Sequence, residues 1–272
     1  MAQELTTREI EHMLRDGLGM DGQIDVIAHI NAPALGSIKG GDEAILAAVL
    51  SAAGTVVMPA FTYQTQVIPQ TGPENNALIY GSGDAFNARA EIFRPDMPVH
   101  PDFGAVAEML RADNDTLRST HPILSFCAQG ERAREVLSAQ TQENPLGPIA
   151  WLEAHDGAVL IMGFDHRHNV SLHLAEQRAG REGFVRWALT LDDIEELHNI
   201  PGDREGFNAI WGELMQYVEA EVVQIGLARC ELIKLRPMLA YAEDRIRQQP
   251  NFMLCDKPTC AYCRAREVKV GW

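Results

Sequence analysis

Histidines and carboxylates are concentrated in one short stretch of the chain, GFDHRHNVSLHLAE. Asp165 precedes His166 and His168 in this stretch, so its carboxylate could orient an imidazole, as a general base requires. His173 and Glu176 are three residues apart and would share one face of a helix. A solvated polar turn followed by a helix cap is an equally good interpretation, and His-x-His without paired downstream ligands is a weak metal motif.

Two more histidines lie in or near apolar segments. His29 stands within the run DVIAHI, where a hydrogen-bonded core histidine is the commoner role. His121 belongs to the polar segment RSTHPILSFCAQG, in which the Arg118 guanidinium, with Ser119 beside it, could hold a phosphate. His121 and Ser125 could contact a thioester or an amine. A polar loop that enters a buried strand is at least as good an interpretation of this segment.

A glycine-rich loop follows His29 and leads into a predicted helix. Free backbone N–H groups at a helix N-terminus suit a phosphate or pyrophosphate, and Lys39 adds positive charge. The loop matches neither GxGxxG nor a Walker A motif, so a standard dinucleotide or NTP site is not supported. On local grounds an ordinary βα turn is the favoured alternative. The candidate phosphate-binding residues are Leu35, Gly36, Ser37, Ile38, Lys39, Gly40 and Gly41.

Two polar segments stand out in the second half of the chain. The acidic run that contains Asp192 and Glu195 is typical of a solvated face, and it could also bind a polyamine. Cys255, Cys260 and Cys263 have the spacing of half a zinc ribbon, but the neighbouring sequence offers no fourth ligand. A structural zinc is therefore the less favoured interpretation, and metal binding by these thiols is left open.

Composition limits the class of protein. The 272 residues are 46% hydrophobic and 22% charged, which is typical of a globular chain. The net charge is −15, which disfavours nucleic-acid binding and favours a cationic or neutral partner, although solubility alone explains an acidic surface. No apolar stretch approaches the roughly 18 residues of a membrane span. The five cysteines and the absence of a signal-like start predict reduced thiols and a cytoplasmic location.

The hydrophobic pattern predicts the elements that position these residues. A strand at 25–30, a helix at 42–53 and a strand at 55–58 form a βαβ unit, which favours a parallel sheet. The connection over 65–101 has little periodicity. Further helices are predicted at 6–16, 104–112, 131–140, 149–155, 170–179, 207–221 and 239–248. Further strands are predicted at 123–128, 158–163 and, on a sheet edge, 184–191, with a strand or hairpin at 222–235.

Several segments match the motifs of one known family in the right order. They are VMPAFTY at 57–63, PDFGAVAE at 101–108, RSTHPILSFCAQG at 118–130 and NVSLHLAE at 169–176. They resemble the VMP-T-[FY]-[ST], P-S-x-M-G-x-x-A-E, R-S-x-H-P-x-x-S-x-x-A-x-G and N-T-S-L-H-x-A-E motifs of the aminoglycoside 3-N-acetyltransferases. This antibiotic N-acetyltransferase family is unrelated to the GNAT fold. The match covers residues 24 to 176, and the divergence of the sequence is typical of an environmental member.

The resemblance implies a fold and a reaction. The fold is a layered α/β/α sandwich with a mostly parallel central sheet, one domain over 1–272, with CoA-binding and catalytic motifs in 24–176 and acceptor-pocket and C-terminal elements in 177–272. Acetyl-CoA is the cosubstrate, no metal is required, and the acceptor is the 3-amino group on the 2-deoxystreptamine ring of an aminoglycoside antibiotic, so the activity confers resistance. Val170 replaces a hydroxyl residue of the motif, which bears on substrate range.

The implied mechanism is direct transfer with a histidine as general base. His168 is the predicted base, Asp165 or Glu176 orients it, and His29 and His121 line the same cleft, although the histidine that takes the proton is left open. The loop at 35–41, with Arg118 and Ser119, is predicted to bind coenzyme A. The predicted substrate-binding residues are Tyr63, His166, Asp192 and Glu195.

Two alternatives remain at this stage. One is an acetyl-CoA-dependent N-acetyltransferase that acts on another amine metabolite. The other is a non-catalytic protein that sequesters a cationic ligand through its acidic surface. The predicted oligomeric state is a monomer or a homodimer.

Overall fold

Buried apolar runs form the centre of the fold. The structure is a computed structural model that describes residues 4–268. Its strands are β1 Asp25–Ile30, β2 Thr55–Pro59, β3 Gln66–Val67, β4 Leu117–Arg118, β5 Phe126–Gly130, β6 Ala158–Met162, β7 Phe184–Leu189, β8 Ile194–Ile200, β9 Ala220–Ile225 and β10 Ala228–Lys234. Its α-helices are α1 Thr7–His12, α2 Gly41–Ala52, α3 Asp84–Asn87, α4 Ala105–Ala112, α5 Ala133–Ser138, α6 Gly147–Ala154, α7 Leu172–Arg178, α8 Trp211–Tyr217, α9 Leu235–Gln248 and α10 Ala261–Arg266.

A seven-stranded sheet carries the core, in the order β4-β5-β2-β1-β6-β10-β9. Strands β2, β1 and β6 are parallel, and every residue of the three is buried, as expected for parallel strands covered on both faces. The other pairings are antiparallel. The predicted α/β class is confirmed, but the sheet is mixed, and it is parallel only at its centre. One reason is the two-residue connection between β9 and β10, because so short a link can join only antiparallel strands.

Helices pack on this sheet in two groups, which gives the layers of a sandwich. Helix α2 contacts both α1 and α4, and α4 also contacts β1. Helices α5, α6, α9 and α7 form a second chain of contacts, in which α6 contacts β1 and α9 contacts β10. The first helix begins as predicted, because Thr6 and Glu9 form a capping box before α1.

A second sheet of three strands has the order β3-β7-β8. It corrects two predictions. Strand β7 was expected on a sheet edge, but it lies in the middle of this sheet. Strand β8 was not predicted, because its sequence IEELHNI is mostly exposed and only Leu197 and Ile200 are buried.

The predicted helix at 207–221 is also shorter than expected. A 3₁₀ turn covers Phe207–Ile210, α8 ends at Tyr217, and the strand β9 begins at Ala220. Val218, at the helix C-cap, already has extended dihedral angles, in keeping with the strand preference of β-branched residues. The connection over 65–101 contains only β3 and α3.

Among residues 4–268, the structure contains no helix that is both long enough and apolar enough to cross a membrane.

Candidate active site

The histidine-rich stretch leaves the carboxyl end of β6, next to the carboxyl end of β1. Gly163 makes the turn with φ +70°, and a Cβ on it would lie 2.8 Å from Ala34 Cβ and 2.9 Å from the Asn31 oxygen. Only glycine fits this close approach without a shift of its neighbours. The chain then forms a 3₁₀ turn over His166–His168 and enters α7. This edge of a sheet is where open α/β folds place their sites.

His173 and Glu176 form a buried histidine–carboxylate pair on α7. His173 Nδ1 lies 2.7 Å from Glu176 Oε2, and the two residues are 6% and 7% exposed. Arg181 binds the other oxygen of Glu176, and it also donates to the backbone oxygens of Pro250 and Phe252. The carboxylate is thus held from one side by a guanidinium and accepts the imidazole N–H on the other. Such a pair fixes the ring and its tautomer.

Two adjoining cavities meet at His173. One has a volume of about 150 Å³ and the other of about 30 Å³. Residues from both halves of the chain wall them, since the larger one includes Tyr63 and Val170 together with Arg186 and Arg204. The residues shared by both cavities are Leu146, His173, Pro201, Gly202 and Tyr262. Among the histidines within residues 4–268, His173 is the one that lines these two cavities, so a small molecule in this cleft would meet it.

His168 is less well prepared to act as a base. Its Nδ1 lies 3.6 Å from Asp165 Oδ1 and makes no hydrogen bond among the described residues. Burial alone would raise the pKa of Asp165, but hydrogen bonds from Arg167 and Asn208 lower it to about 2. Burial, and then the charge of Arg204, lower the pKa of His168. The carboxylate that was expected to orient His168 is thus bound to other partners, and His168 lines neither cavity.

His29 is buried and feels the charges of both His168 and His166. Burial, and then the charges of His168, Arg204 and His166, lower the pKa of His29 to about 3. His166 is buried, lies 3.3 Å from Glu231 through Nε2, and stacks on Trp211 at 5.0 Å. His166, which was predicted to bind substrate, is 3% exposed and lines neither cavity at His173.

His121 serves the backbone beside the larger cavity. Its Nδ1 accepts hydrogen bonds from the N–H groups of Ile123 and Leu124, at 3.2 and 3.0 Å. Burial lowers its pKa to about 4, so the ring is neutral near pH 7. Ile123 and Leu124 line the larger cavity, but His121 itself does not.

The predicted phosphate-binding loop lies at the surface and opens α2. Gly40 and Gly41 have φ of +93° and +59°, and both are exposed. The Ser37 hydroxyl donates to Glu4, and the Lys39 side chain is exposed. Asp42 and Glu43 occupy the first helical turn, where their charges would oppose a bound phosphate. Coenzyme A binding at this loop stays a prediction.

Arg118 and Ser119 have structural partners. Four of the five guanidinium N–H donors of Arg118 meet protein acceptors, namely Ser125 and the backbone oxygens of Pro95, Met97 and Ala60. These contacts tie the long 65–101 connection to β4, and they argue against the phosphate role expected from sequence. The Ser119 hydroxyl accepts the Phe126 N–H at 2.8 Å.

The other predicted substrate contacts divide into two groups. Tyr63 lines the larger cavity, and burial raises its pKa to about 12. Asp192 and Glu195 lie at the opposite end of the β7–β8 hairpin from Ile200 and Pro201, which wall the cavity. Glu195 pairs with Ala188, which pairs in turn with the cavity-lining Gln66, but neither Asp192 nor Glu195 lines a cavity at His173.

An α/β sandwich with a buried histidine–carboxylate pair beside a cavity is an arrangement typical of enzymes that move a proton from their substrate. The sequence model of the aminoglycoside 3-N-acetyltransferases matches residues 27–247, and the chain belongs to this family. The enzyme is therefore an acyltransferase, as the sequence motifs predicted.

Named relatives and solved structures agree with this assignment. The chain is 26% identical to the prophage-derived aminoglycoside N(3')-acetyltransferase-like protein YokD of Bacillus subtilis, over 83% of this chain and 87% of YokD. It is 32% identical to aminoglycoside N(3)-acetyltransferase IX of Micromonospora chalcea, over 64% of this chain and 63% of that enzyme. The crystal structure of YokD has a TM-score of 0.81 at 22% identity and covers 92% of this chain and 96% of its own. That of AAC(3)-IVa has a TM-score of 0.78 at 24% identity, with 98% of each chain covered. The fold is thus shared.

Proposed function

We propose that this enzyme transfers the acetyl group of acetyl-CoA to the 3-amino group on the 2-deoxystreptamine ring of an aminoglycoside, and so confers resistance to it. The family match names this reaction class. The observation that carries the proposal is the His173–Glu176 pair at the cavity. Solved structures of the same fold include AAC-IIIb with CoASH and a mutant of AAC(3)-IVa in complex with a gentamicin or with apramycin.

His173, in place of His168, is the proposed general base. An ammonium group cannot attack a thioester, so the acceptor amine must first lose a proton. With Nδ1–H donated to Glu176, His173 presents a basic Nε2. This nitrogen has no hydrogen-bond partner within residues 4–268, and the ring lines the cleft. Glu176 and Arg181 keep the ring in this tautomer, and Glu176 stabilises the imidazolium that forms.

The transfer proceeds by deprotonation of the acceptor, attack on the acetyl group and departure of the thiolate. His173 takes a proton from the acceptor ammonium group. The amine nitrogen then attacks the acetyl carbonyl carbon, and an N–C bond forms. The C–S bond breaks, the coenzyme A thiolate leaves and takes the proton from His173, and the amide nitrogen loses its second proton to solvent. Cys127 and Cys230 are not suited to carry the acetyl group, because burial raises the pKa of each to about 12 and both thiols stay protonated near pH 7.

The charge of the protein fits a polycationic acceptor. The net charge of −15 attracts cations over long range. Near His173 the smaller cavity is lined in part by Glu182, whose carboxylate can meet an amine of the acceptor. The aminoglycosides accepted, the cytoplasmic location, the single-domain organisation and the monomeric or dimeric state remain predictions.

The test is release of thiol from acetyl-CoA by the purified enzyme, with gentamicin, kanamycin or apramycin as acceptor. We expect acceptor-dependent release, and we expect acetylation at the 3-amino group when the product is mapped by NMR. Release that needs another amine, and not these acceptors, would support the alternative of a different amine metabolite. Acceptor binding without release would support a sequestering protein.

Variants of the two histidines separate the two candidate bases. His173→Ala should lower kcat by at least about 10²-fold, the usual contribution of a general base, while His168→Ala keeps most of it. Glu176→Gln should also lower kcat, because the amide cannot stabilise the imidazolium. Glu153→Gln is its matched control. Glu153, on α6, pairs with Arg178 on α7, the helix that carries Glu176, and it does not contact His173. Full turnover by His173→Ala together with loss in His168→Ala would restore His168 as the base.

A further inference from the structure

The three cysteines of the C-terminal segment meet a carboxylate from a distant part of the chain. Cys255, Cys260 and Cys263 follow α9, whereas Asp203 lies in the loop after β8. One ligand atom from each of the four residues can be chosen such that all lie within 4.8 Å of one another. Cys260 Sγ is 3.0 Å from Asp203 Oδ2, and Cys263 Sγ is 4.0 Å from it. The fourth ligand that the sequence did not offer is thus present in the fold.

The donor set and its spacing suit zinc. Zinc prefers thiolate sulfur, with bonds of about 2.3 Å, and accepts carboxylate oxygen at about 2.0–2.2 Å. A tetrahedral site with these bond lengths places neighbouring donor atoms about 3.5–3.8 Å apart. The observed cluster reaches this spacing with small side-chain adjustments. All four positions of a tetrahedron are then filled by protein, which is typical of a structural ion.

The surroundings orient the donors towards one point. Asp203 Oδ1 accepts the N–H groups of Arg204 and Glu205, at 2.8 and 3.2 Å, and this leaves Oδ2 directed at the thiols. The Cys255 N–H donates to Cys263 Sγ at 3.2 Å, so a backbone dipole is available to a thiolate. Outer contacts of this kind hold ligands in place in metal sites.

Two cations of the C-terminal segment have carboxylate partners outside the cluster. Lys257 pairs with Glu205 at 2.8 Å, and Arg264 pairs with Glu267 at 2.8 Å. No disulfide joins the three cysteines, all of which are free. Within the described chain, neither a cross-link nor a side-chain cation therefore explains why three thiols and a carboxylate converge.

We propose that Asp203, Cys255, Cys260 and Cys263 bind a structural Zn²⁺ ion. The ion joins the loop after β8 to the C-terminal segment. Both pieces wall the cleft, because Pro201 and Gly202 precede Asp203, and Tyr262 lies beside Cys263. The zinc thereby fixes the wall that faces His173 and has no open position for a substrate.

The test is the metal content of the untagged, purified enzyme by mass spectrometry. We expect about one zinc per chain, as for a closed structural site. The double variant Cys260→Ser/Cys263→Ser should lose it, and Asp203→Asn should release it more readily to a chelator. Asp256→Asn is the control, because this exposed acid lies next to Cys255 but outside the cluster.

A second measurement does not depend on the folding of the variants. A mercurial reagent added to the wild-type enzyme should release the zinc to a colorimetric chelator as the three thiols react. Cobalt substituted for zinc should show the visible bands of a tetrahedral thiolate site. An enzyme that holds no zinc and takes up none after reduction would overturn the proposal, as would a double variant that retains full zinc. Zinc content is read without acetyl transfer, so this result is independent of the proposed reaction.

Discussion

At the scale of single residues, the hydrogen-bond partner of Nδ1 decides which histidine is held ready to act as a base through Nε2. The sequence places a carboxylate three residues from both His168 and His173, so spacing alone does not separate them. The structure does, because Asp165 is bound by Arg167 and Asn208, whereas Glu176 contacts His173 at 2.7 Å. Those competing partners are set by loop conformation and tertiary contacts, which short-range spacing does not contain.

Arg118 shows the same limit of short-range spacing. Arg118 was expected to be free for a phosphate, but its guanidinium meets four protein oxygens, three of them backbone oxygens. Backbone acceptors are not visible in residue types. Tyr63, by contrast, does line the cavity, where its VMPAFTY motif placed it.

The buried histidines predict a loss of stability in acid. The pKa of His121 is about 4 in the folded enzyme, below its ordinary value of 6.5, so the unfolded chain binds more protons between these values. The stabilisation is fully present above pH 6.5 and is lost as the pH falls towards 4. At pH 5 the loss is about 2 kcal/mol from this residue alone.

Urea unfolding at pH 7.5 and pH 5 measures this effect. In His121→Asn the amide oxygen can accept the same two backbone N–H groups as Nδ1 does, but it does not titrate. The difference in unfolding free energy between the two pH values should therefore be smaller in the variant by about 2 kcal/mol. An unchanged difference would mean that His121 has the same pKa in the folded and unfolded states.

At the scale of elements, buried runs were predictable and exposed ones were not. The strand at 25–30 was found at the same residues, and β2 and β6 differ from prediction by one residue at one end. Their residues are mostly apolar or small because both faces of the sheet are covered. Strand β8 is mostly exposed, so its pairing with β7, and not its own composition, makes it a strand.

The turn after β6 is the element-scale feature that positions the active-site helix. Gly163→Ala should destabilise the enzyme by roughly 1–3 kcal/mol, because alanine resists φ of +70° and its Cβ would meet Ala34 and Asn31. Gly212→Ala is the matched control, since this residue lies in α8 with no atom within 4 Å of a built Cβ. At this position alanine should stabilise the enzyme by about 0.5–1 kcal/mol, because alanine has a higher helix propensity than glycine.

Chemical denaturation of both variants gives the comparison. Equal effects of the two substitutions would show that the turn at Gly163 tolerates a side chain. The kcat of Gly163→Ala is a second readout, because a shift of this turn would displace α7 and its histidine–carboxylate pair.

At the scale of the whole molecule, the order of motifs predicted the family, and the fold brings their residues together with the C-terminal half. Family motifs end at Glu176, yet the cleft at His173 is completed by Arg186, Pro201 and Tyr262. These residues could not be assigned from sequence, because nothing local marks a residue that becomes a wall only after the chain has folded. The cluster of Asp203 with the three cysteines could not be assigned from sequence for the same reason.

The overall charge of the protein predicts how salt affects the reaction. With a net charge of −15, the enzyme should attract a polycationic acceptor before contact, and salt should screen this attraction. Between about 20 mM and about 500 mM salt, kcat/KM for an aminoglycoside should fall by about ten-fold with little change in kcat, because steering acts on the encounter. Acetyl-CoA is an anion that the same field repels, so its KM should not rise in parallel. A fall in kcat, or a matching rise of both KM values, would point to a general effect of salt on the enzyme. Equal kcat/KM at both salt concentrations would show that the acidic surface does not guide the acceptor, and that the charges inside the cleft alone select it.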